Sequence, residues 1–177
     1  FDIGHYADAE TAYYRLKAVT PVGDAAAEQE IKDRIASSIY KQGEQARDGG
    51  DLETAVGHFM RLGEAVPESG IRATAEYDAA AGLMSLQQWA DAAQVLDRFR
   101  KAWPDDPRQE EVTRRLAAAY LAEEQPLQAA VEFERIGTTH NDPVLRRVAL
   151  WQSAELYAQA QRPVQSVKLY SAYIEQF

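Results

Sequence analysis

Apolar residues recur at three- and four-residue spacing along the chain, and no stretch of any length alternates apolar and polar residues as a β-strand would. Three- and four-residue spacing is typical of helices that bury one face. Prolines and short turns containing Gly, Asp or Asn interrupt the helical stretches. The pattern therefore predicts an all-α fold.

The helical pattern also repeats every 37 residues. In residues 87–107 a helix opens at Trp89, carries a small residue at Ala92 and large ones at Leu96 and Phe99, and closes at Pro104. Three columns recur in phase: Ala55, Ala92, Ala129 and Ser166; Phe59, Leu96, Phe133 and Tyr170; and Leu62, Phe99, Ile136 and Tyr173. A fixed period of this size indicates a solenoid, whose units bury their apolar faces against one another.

Each unit contains a first and a second helix, and the first helices have a small column of their own. This column holds Gly43, Ala80, Ala117 and Ala154. A small residue where two helices cross lets their backbones approach closely. We expect the small columns to be buried and the large apolar columns to fill the space beside them.

The period divides the chain into a partial repeat over 1–21 and repeats over 24–67, 69–104, 106–141 and 142–177. Phe1 falls near the end of a first helix or in its turn, and Phe177 falls just before an expected proline. We therefore expect one continuous array that is a fragment of a longer one. The opening residues lack the basic start and apolar core of a signal peptide.

Helix ends are predicted from capping residues and prolines. The first helix of repeat 24–67 spans 25–46 and should exceed its counterparts by roughly two turns. Asp51 and Ser69 are placed as N-caps, Asp106-Pro107 and Asn141-Asp142-Pro143 as cap-plus-proline starts, and Pro126 as a helix start. Gly137 is expected to end its helix early.

Composition excludes several classes of partner and site. The net charge of −9 and the isoelectric point near 4.9 disfavour nucleic acid and acidic membrane surfaces as partners. With no cysteine, disulfides and thiolate chemistry are absent. No apolar run reaches the roughly 18 residues of a membrane span. Phosphate-loop, dinucleotide and common hydrolase motifs are missing, and neither the three histidines nor the acidic turn at 48–51 has the spacing of a metal site.

The columns together resemble the tetratricopeptide repeat (TPR) family. The matching residues are small and aromatic residues of both helices and the closing prolines. They are Ala80, Ala117 and Ala154 with the following Tyr120 and Tyr157 on first helices, Ala55, Ala92 and Ala129 with the aromatics Phe59, Phe133 and Tyr170 on second helices, and Pro21, Pro67 and Pro104. The chain departs from the family in its 37-residue period, in Ala46 and Leu83 at the tyrosine position, and in Asn141 at a proline position. The longer period looks like bacterial envelope TPR proteins, such as the periplasmic partner of the Tol–Pal system and the outer-membrane assembly lipoproteins.

The resemblance implies a right-handed superhelix whose first helices line a concave groove that binds proteins or peptides. The groove candidates are Tyr40, Glu44, Arg47, Tyr77, Met84, Arg114, Trp151, Glu155 and Gln159. The alternative is that the aromatic members only pack between neighbouring first helices. The Lys and Asn of the family's carboxylate clamp are missing, because these positions hold Tyr40, Glu44, Tyr77 and Ala81.

These observations predict a non-catalytic protein–protein interaction scaffold without cofactor or metal. The alternatives are a structural spacer or self-association module of a larger envelope protein, and a regulatory domain attached to an enzyme. A periplasmic location is implied by the family resemblance alone.

Overall fold

Helices account for most of the chain. The computed structural model describes residues 4–21 and 23–177, so Phe1, where the predicted partial repeat begins, lies outside the described residues. Within those ranges there is no β-strand. The helices are α1 Tyr6–Val19, α2 Ala25–Asp48, α3 Leu52–Ala65, α4 Arg72–Ser85, α5 Trp89–Ala102, α6 Gln109–Ala122, α7 Pro126–Thr139, α8 Pro143–Gln159 and α9 Pro163–Gln176.

The helices form two compact units, Phe1–Gln88 and Trp89–Phe177, called unit 1 and unit 2 below. In unit 1, α1 packs on α2, α2 on α3 and α3 on α4, and in unit 2, α5 packs on α6, α6 on α7, α7 on α8 and α8 on α9. Packing of sequential neighbours is what a repeat architecture requires. The boundary between the units falls inside the predicted repeat 69–104, and the repeat boundaries stay predictions.

The small columns are buried, as the period predicts. Ala92 and Ala129 of the second-helix column have no exposed surface, and neither have Ala80 and Ala154 of the first-helix column. At Gly43 on α2 an added Cβ would lie 2.5 Å from the ring of Phe59. The small residues therefore mark the points of closest helix approach, and the confirmed columns fix the helix register.

The turns that join a first helix to its second helix share one backbone geometry. Gly50, Gln87, Glu124 and Gln161 occur at 37-residue steps and have φ values of 83°, 59°, 53° and 57°. In each turn the next residue's N–H bonds to a carbonyl five residues earlier, as Gln125 does to Tyr120 at 2.9 Å. This pattern closes a helix with one left-handed residue. Only Gly50 is a glycine, so the sequence signal for the turn is weak elsewhere.

Three predictions about helix starts are confirmed. The Asp51 carboxylate accepts a hydrogen bond from the Thr54 N–H at 3.0 Å, and Asp142 accepts one from Val144 at 2.8 Å. Pro126 begins α7.

At 24 residues α2 is longer than α4 and α6 (14 residues each) and α8 (17 residues). The predicted extension of this first helix is therefore confirmed.

Two predicted caps are wrong, because each side chain closes a turn before the helix. The Ser69 hydroxyl accepts from the Ile71 N–H at 3.4 Å, and α4 begins only at Arg72. The Asp106 carboxylate accepts the backbone N–H of Arg108 at 2.9 Å and also binds its guanidinium. Pro107 accordingly lies in a turn, and α6 begins at Gln109 without a side-chain cap.

The expectation for Gly137 is also wrong. The helix α7 continues through it to Thr139, and Gly137 is buried. A Cβ at this position would lie 2.7 Å from Leu150 Cγ on α8. The glycine therefore allows a close helix crossing and does not end the helix.

Candidate partner-binding site

The predicted groove residues lie on four first helices. Tyr40, Glu44 and Arg47 are on α2, and Tyr77 and Met84 are on α4, all in unit 1. Unit 2 holds Arg114 on α6 and Trp151, Glu155 and Gln159 on α8.

In unit 1 the Tyr40 side chain is half-buried and packs inside the unit. Its ring centroid lies 5.3 Å from that of Phe59, and its hydroxyl donates to Asp78 Oδ2 at 2.6 Å. Burial raises the pKa of Tyr40 above its ordinary value, and the hydrogen bond to Asp78 adds to this effect. Tyr40 therefore packs between helices of unit 1, which is the alternative to an exposed position in the groove.

Arg47 completes this polar group at the C-terminal end of α2. Its guanidinium lies 5.8 Å from the Phe59 ring centroid, 3.7 Å from Asp78 and 3.7 Å from Glu44. Glu44 also pairs with Lys41 at 2.6 Å. The charges at this end of unit 1 are therefore largely matched by one another. Tyr77 and Met84 are half-buried on α4.

In unit 2 the predicted residues are more open. Trp151 keeps 44% of its surface exposed, and its ring meets Tyr170 and Tyr173 edge-on, with centroids 5.1 and 5.3 Å away. Arg114 is exposed and pairs with Glu110 and Glu111 of its own helix. Glu155 and Gln159 are exposed on α8.

Glu155 and Gln159 contribute to a pocket of about 170 Å³. The pocket is lined by Leu121 on α6, Phe133 on α7, and Gln152, Glu155, Leu156 and Gln159 on α8. The sequence-based candidates omit Leu121, Gln152 and Leu156. The period contains the signal for Leu121, because it lies 37 residues after Met84 and 74 after Arg47, both of which are candidates.

Two tyrosines bond the first helices of unit 2, α6 and α8, to the second helices that precede them. The Tyr120 hydroxyl donates to Asp97 at 2.7 Å, and the Tyr157 hydroxyl donates to Glu134 at 2.7 Å. Burial and the neighbouring carboxylate raise the pKa of Tyr157 to about 12. These equivalent bonds tie each first helix to the preceding second helix and hold the pocket walls in place.

A buried acid plays a comparable part in unit 1. Glu10 on α1 accepts from Arg61 at 2.6 and 3.0 Å and from Gln42 at 2.6 Å. Burial works to raise the pKa of Glu10, but the bonds from Arg61 and Gln42 outweigh it and hold the pKa below its ordinary value. The cluster joins three helices of the unit and has a structural role.

Another pocket of unit 2, of about 380 Å³, contains several charged side chains that are already paired. Arg100 binds Glu132 and Asp97, both at 2.6 Å, and His140 Nε2 lies 2.8 Å from Glu110. Within residues 4–21 and 23–177 no group of three metal-ligating side chains comes together. No helix in the same ranges is long and apolar enough to cross a membrane.

Comparison with known proteins identifies the fold. No family model and no curated protein matches the sequence. A kinesin light chain from Podosopora anserina with nearly identical TPR-like repeats is similar in structure, with a TM-score of 0.51 and 15% identity over 98% of this chain and 87% of that one. The chain has the fold of a TPR-like repeat protein. MamA from Desulfovibrio magneticus RS-1, from residue 41 to its end, is similar with a TM-score of 0.53 and 16% identity over 97% of this chain and 92% of that one.

The all-α repeat fold is thus confirmed by the helices and by these TPR-like neighbours. At such low identity the similarity carries the fold and no partner. The bacterial envelope subtype and the right-handed superhelical sense stay predictions.

Proposed function

We propose that this TPR-like chain is a non-catalytic protein–protein interaction scaffold that binds a partner segment along its first helices. The observation that carries the proposal is the position of Trp151, which lies on the same helix as Glu155. Its ring is exposed and is held edge-on by Tyr170 and Tyr173 of α9. Tryptophan, tyrosine and arginine dominate the energetics of protein interfaces. A ring that is already positioned loses little conformational freedom on binding.

The charged groups on the first helices support binding without chemistry. Arg47 is paired with Asp78, and Arg114 is paired with Glu111. Arginine stays protonated and only donates hydrogen bonds, so Arg47 and Arg114 are suited to orienting a bound segment and not to acting as a general base or nucleophile. The proposed role needs no cofactor and no metal.

A quantitative pull-down tests this role. Wild-type protein and the Tyr77→Ala, Trp151→Ala double variant are incubated with the same cell extract, and captured proteins are measured by mass spectrometry. Gln94→Ala, an exposed change on the second helix α5, is the matched control. We expect the double variant to lose captured partners that the control retains, while melting curves show that all three proteins fold. Full retention of the partners by the double variant would overturn the proposal.

A second candidate role, self-association or a structural spacer, is favoured by the outer face of α9. Val164, Val167 and Ile174 are 78%, 63% and 78% exposed. The residues 37 positions before Val167 and Ile174 are Ala130 and Gly137, and both are buried where α7 packs on α8. An apolar face in this register is therefore suited to covering by a further helix.

Light scattering at several protein concentrations tests the second role. We expect wild-type protein to form a dimer that Val167→Asp and Ile174→Asp dissociate, with Gln165→Asp, an exposed change on the same helix, as the control. A monomer at all concentrations, or a dimer unaffected by the two changes, contradicts self-association through α9. The periplasmic location is tested separately by fractionating cells that produce the full-length protein.

A further inference from the structure

Two pockets in the molecule occupy the same place in the repeat but differ in chemistry. The pocket in unit 1 is lined by residues of α2, α3 and α4, and the pocket in unit 2 is lined by residues of α6, α7 and α8. Six lining positions correspond across two periods of 37 residues. The pairs are Arg47 and Leu121, Phe59 and Phe133, Asp78 and Gln152, Ala81 and Glu155, Gly82 and Leu156, and Ser85 and Gln159.

The unit 1 pocket is closed by its own side chains. Arg47 reaches over the Phe59 ring and pairs with Asp78, which also accepts the Tyr40 hydroxyl. The remaining space is about 110 Å³. An incoming apolar side chain would have to displace a charged group that already has a partner, which costs desolvation without a new bond.

The unit 2 pocket has no such closing group. Leu121 replaces the arginine and is 45% exposed, and Phe133 and Leu156 form the remaining apolar wall. Gln152, Glu155 and Gln159 stand at the exposed rim. Among the described residues none of these three side chains makes a hydrogen bond or an ion pair. Apolar walls with a few unengaged polar groups at the rim are typical of a binding pocket.

The negative charge at the pocket rim indicates that the bound segment carries a positive charge. Among the residues that the structure describes, Glu155 is the only charged one that lines the pocket. Unit 2 as a whole is nearly neutral, with 13 acidic and 11 basic residues, so the preference for a cationic neighbour rests on the Glu155 carboxylate itself. Apolar contact would supply the affinity, and the carboxylate would select the neighbouring residue.

We propose that the unit 2 pocket binds a leucine or phenylalanine side chain of a partner segment that has Lys or Arg next to it, with the cation at Glu155. This assignment rests on the proposed scaffold role and names the residue type that the scaffold reads. The equivalent unit 1 position does not bind such a side chain, because Arg47 and Asp78 satisfy each other there.

Three capped hexapeptides in a Gly/Ser background test the assignment. The first contains adjacent Leu and Arg, the second replaces the Arg by Glu, and the third replaces the Leu by Ala. Binding to the full chain is followed by NMR of leucine methyl groups. We expect saturable shifts at Leu121 and Leu156 with the Leu–Arg peptide. The Kd should be roughly ten-fold weaker for the Ala peptide and roughly five-fold weaker for the Glu peptide.

Two variants separate the apolar and charged contributions. Leu121→Arg, which copies the unit 1 residue, should abolish binding, and the exposed position makes a folded variant expected. Glu155→Gln should remove the preference for Arg over Glu and keep the preference for Leu over Ala. Gln94→Ala is the control and should bind as wild type does.

The outcomes distinguish this assignment from the scaffold role. Equal affinity for all three peptides, or shifts that avoid Leu121 and Leu156, overturns the assignment. If that occurs while Trp151→Ala still removes a captured partner, the scaffold role stands alone. If the peptides behave as expected while partner capture survives every first-helix change, the pocket assignment stands and the scaffold role falls.

Discussion

Units 1 and 2 use the same apolar framework and different polar chemistry. Ala55 and Ala92 are both buried at equivalent positions, as are Phe59 and Leu96. Their charges differ, since residues 1–88 contain 15 acidic and 8 basic residues, a net charge of −7, whereas residues 89–177 contain 13 and 11, a net charge of −2. Packing between helices thus constrains the small and large columns strongly and leaves the polar columns free to specialise.

The polar bonds illustrate this freedom. Both units join their helices through an acid paired with an arginine and through a tyrosine bonded to a carboxylate, but at different positions of the period. The pairs are Glu10–Arg61 and Tyr40–Asp78 in unit 1, and Glu132–Arg100, Tyr120–Asp97 and Tyr157–Glu134 in unit 2. The tyrosine position of the period holds Leu83 in unit 1, which cannot make such a bond. Each unit therefore satisfies its buried polar groups with a network of its own.

The largest effect is expected from breaking the shared framework. Ala92→Arg in unit 2 and Ala55→Arg in unit 1 each place a long charged side chain in a closed helix crossing. We expect both to lower the free energy of unfolding by more than about 3 kcal/mol, through overpacking and a poorly solvated charge. Urea unfolding followed by circular dichroism measures the loss. Ala90→Arg, an exposed change on α5, should stay within about 0.5 kcal/mol of wild type, and an unchanged Ala92→Arg would contradict the repeat register.

Glu10→Gln should weaken unit 1 and change its response to acid. We expect a loss of about 1–3 kcal/mol at pH 7, because Arg61 loses a charged acceptor. The pKa of Glu10 is lowered in the folded chain, so its stabilisation is present above the unfolded pKa of about 4.3 and is lost as the pH falls through the folded pKa.

The stability difference between wild type and Glu10→Gln should therefore shrink in urea titrations as the pH falls from 7 to 3. Glu53→Gln, an exposed change on α3, is the control. A difference that stays constant across this pH range would show that the carboxylate charge of Glu10 contributes nothing.

Tyr157→Phe should affect unit 2 alone and by less. Removing the hydroxyl deletes the 2.7 Å bond to Glu134, for which we expect a loss of about 1 kcal/mol. The raised pKa of Tyr157, about 12, means that this stabilisation is present below the unfolded pKa of about 10 and is lost as the pH rises through 12. Thermal melts at pH 8 and 11 measure it, and Tyr14→Phe, an exposed change, should leave both melts unaltered.

The smallest effects concern the turn that both units share. Gln161→Gly and Glu124→Gly should raise the free energy of unfolding by about 0.4–1 kcal/mol, because both residues occupy positive φ. Gly50→Ala should lower it by about 1 kcal/mol for the same reason. Opposite signs in urea unfolding support the shared turn geometry, and a loss in all three variants would contradict it.

The period alone is enough to predict the helices and the buried small columns. These features are recoverable because apolar spacing is a local property that every repeat shows again. The errors arise where one side chain has two local uses. Asp106 could cap a helix or close a turn, and Gly137 could end a helix or allow a crossing, and only the neighbouring backbone or helix decides between them.

The candidate site divides in the same way. Repeated spacing assigns Tyr40, Trp151 and Glu155 to first helices, and steps of 37 residues lead from Arg47 and Met84 to Leu121. Whether such a side chain is exposed depends on partners far away in sequence, such as Asp78 for Tyr40, 38 residues on. Local pattern therefore determined which residues share a column and a helix face. The packing of helices distant in sequence decided which of those positions are closed by internal bonds and which are left open to a partner.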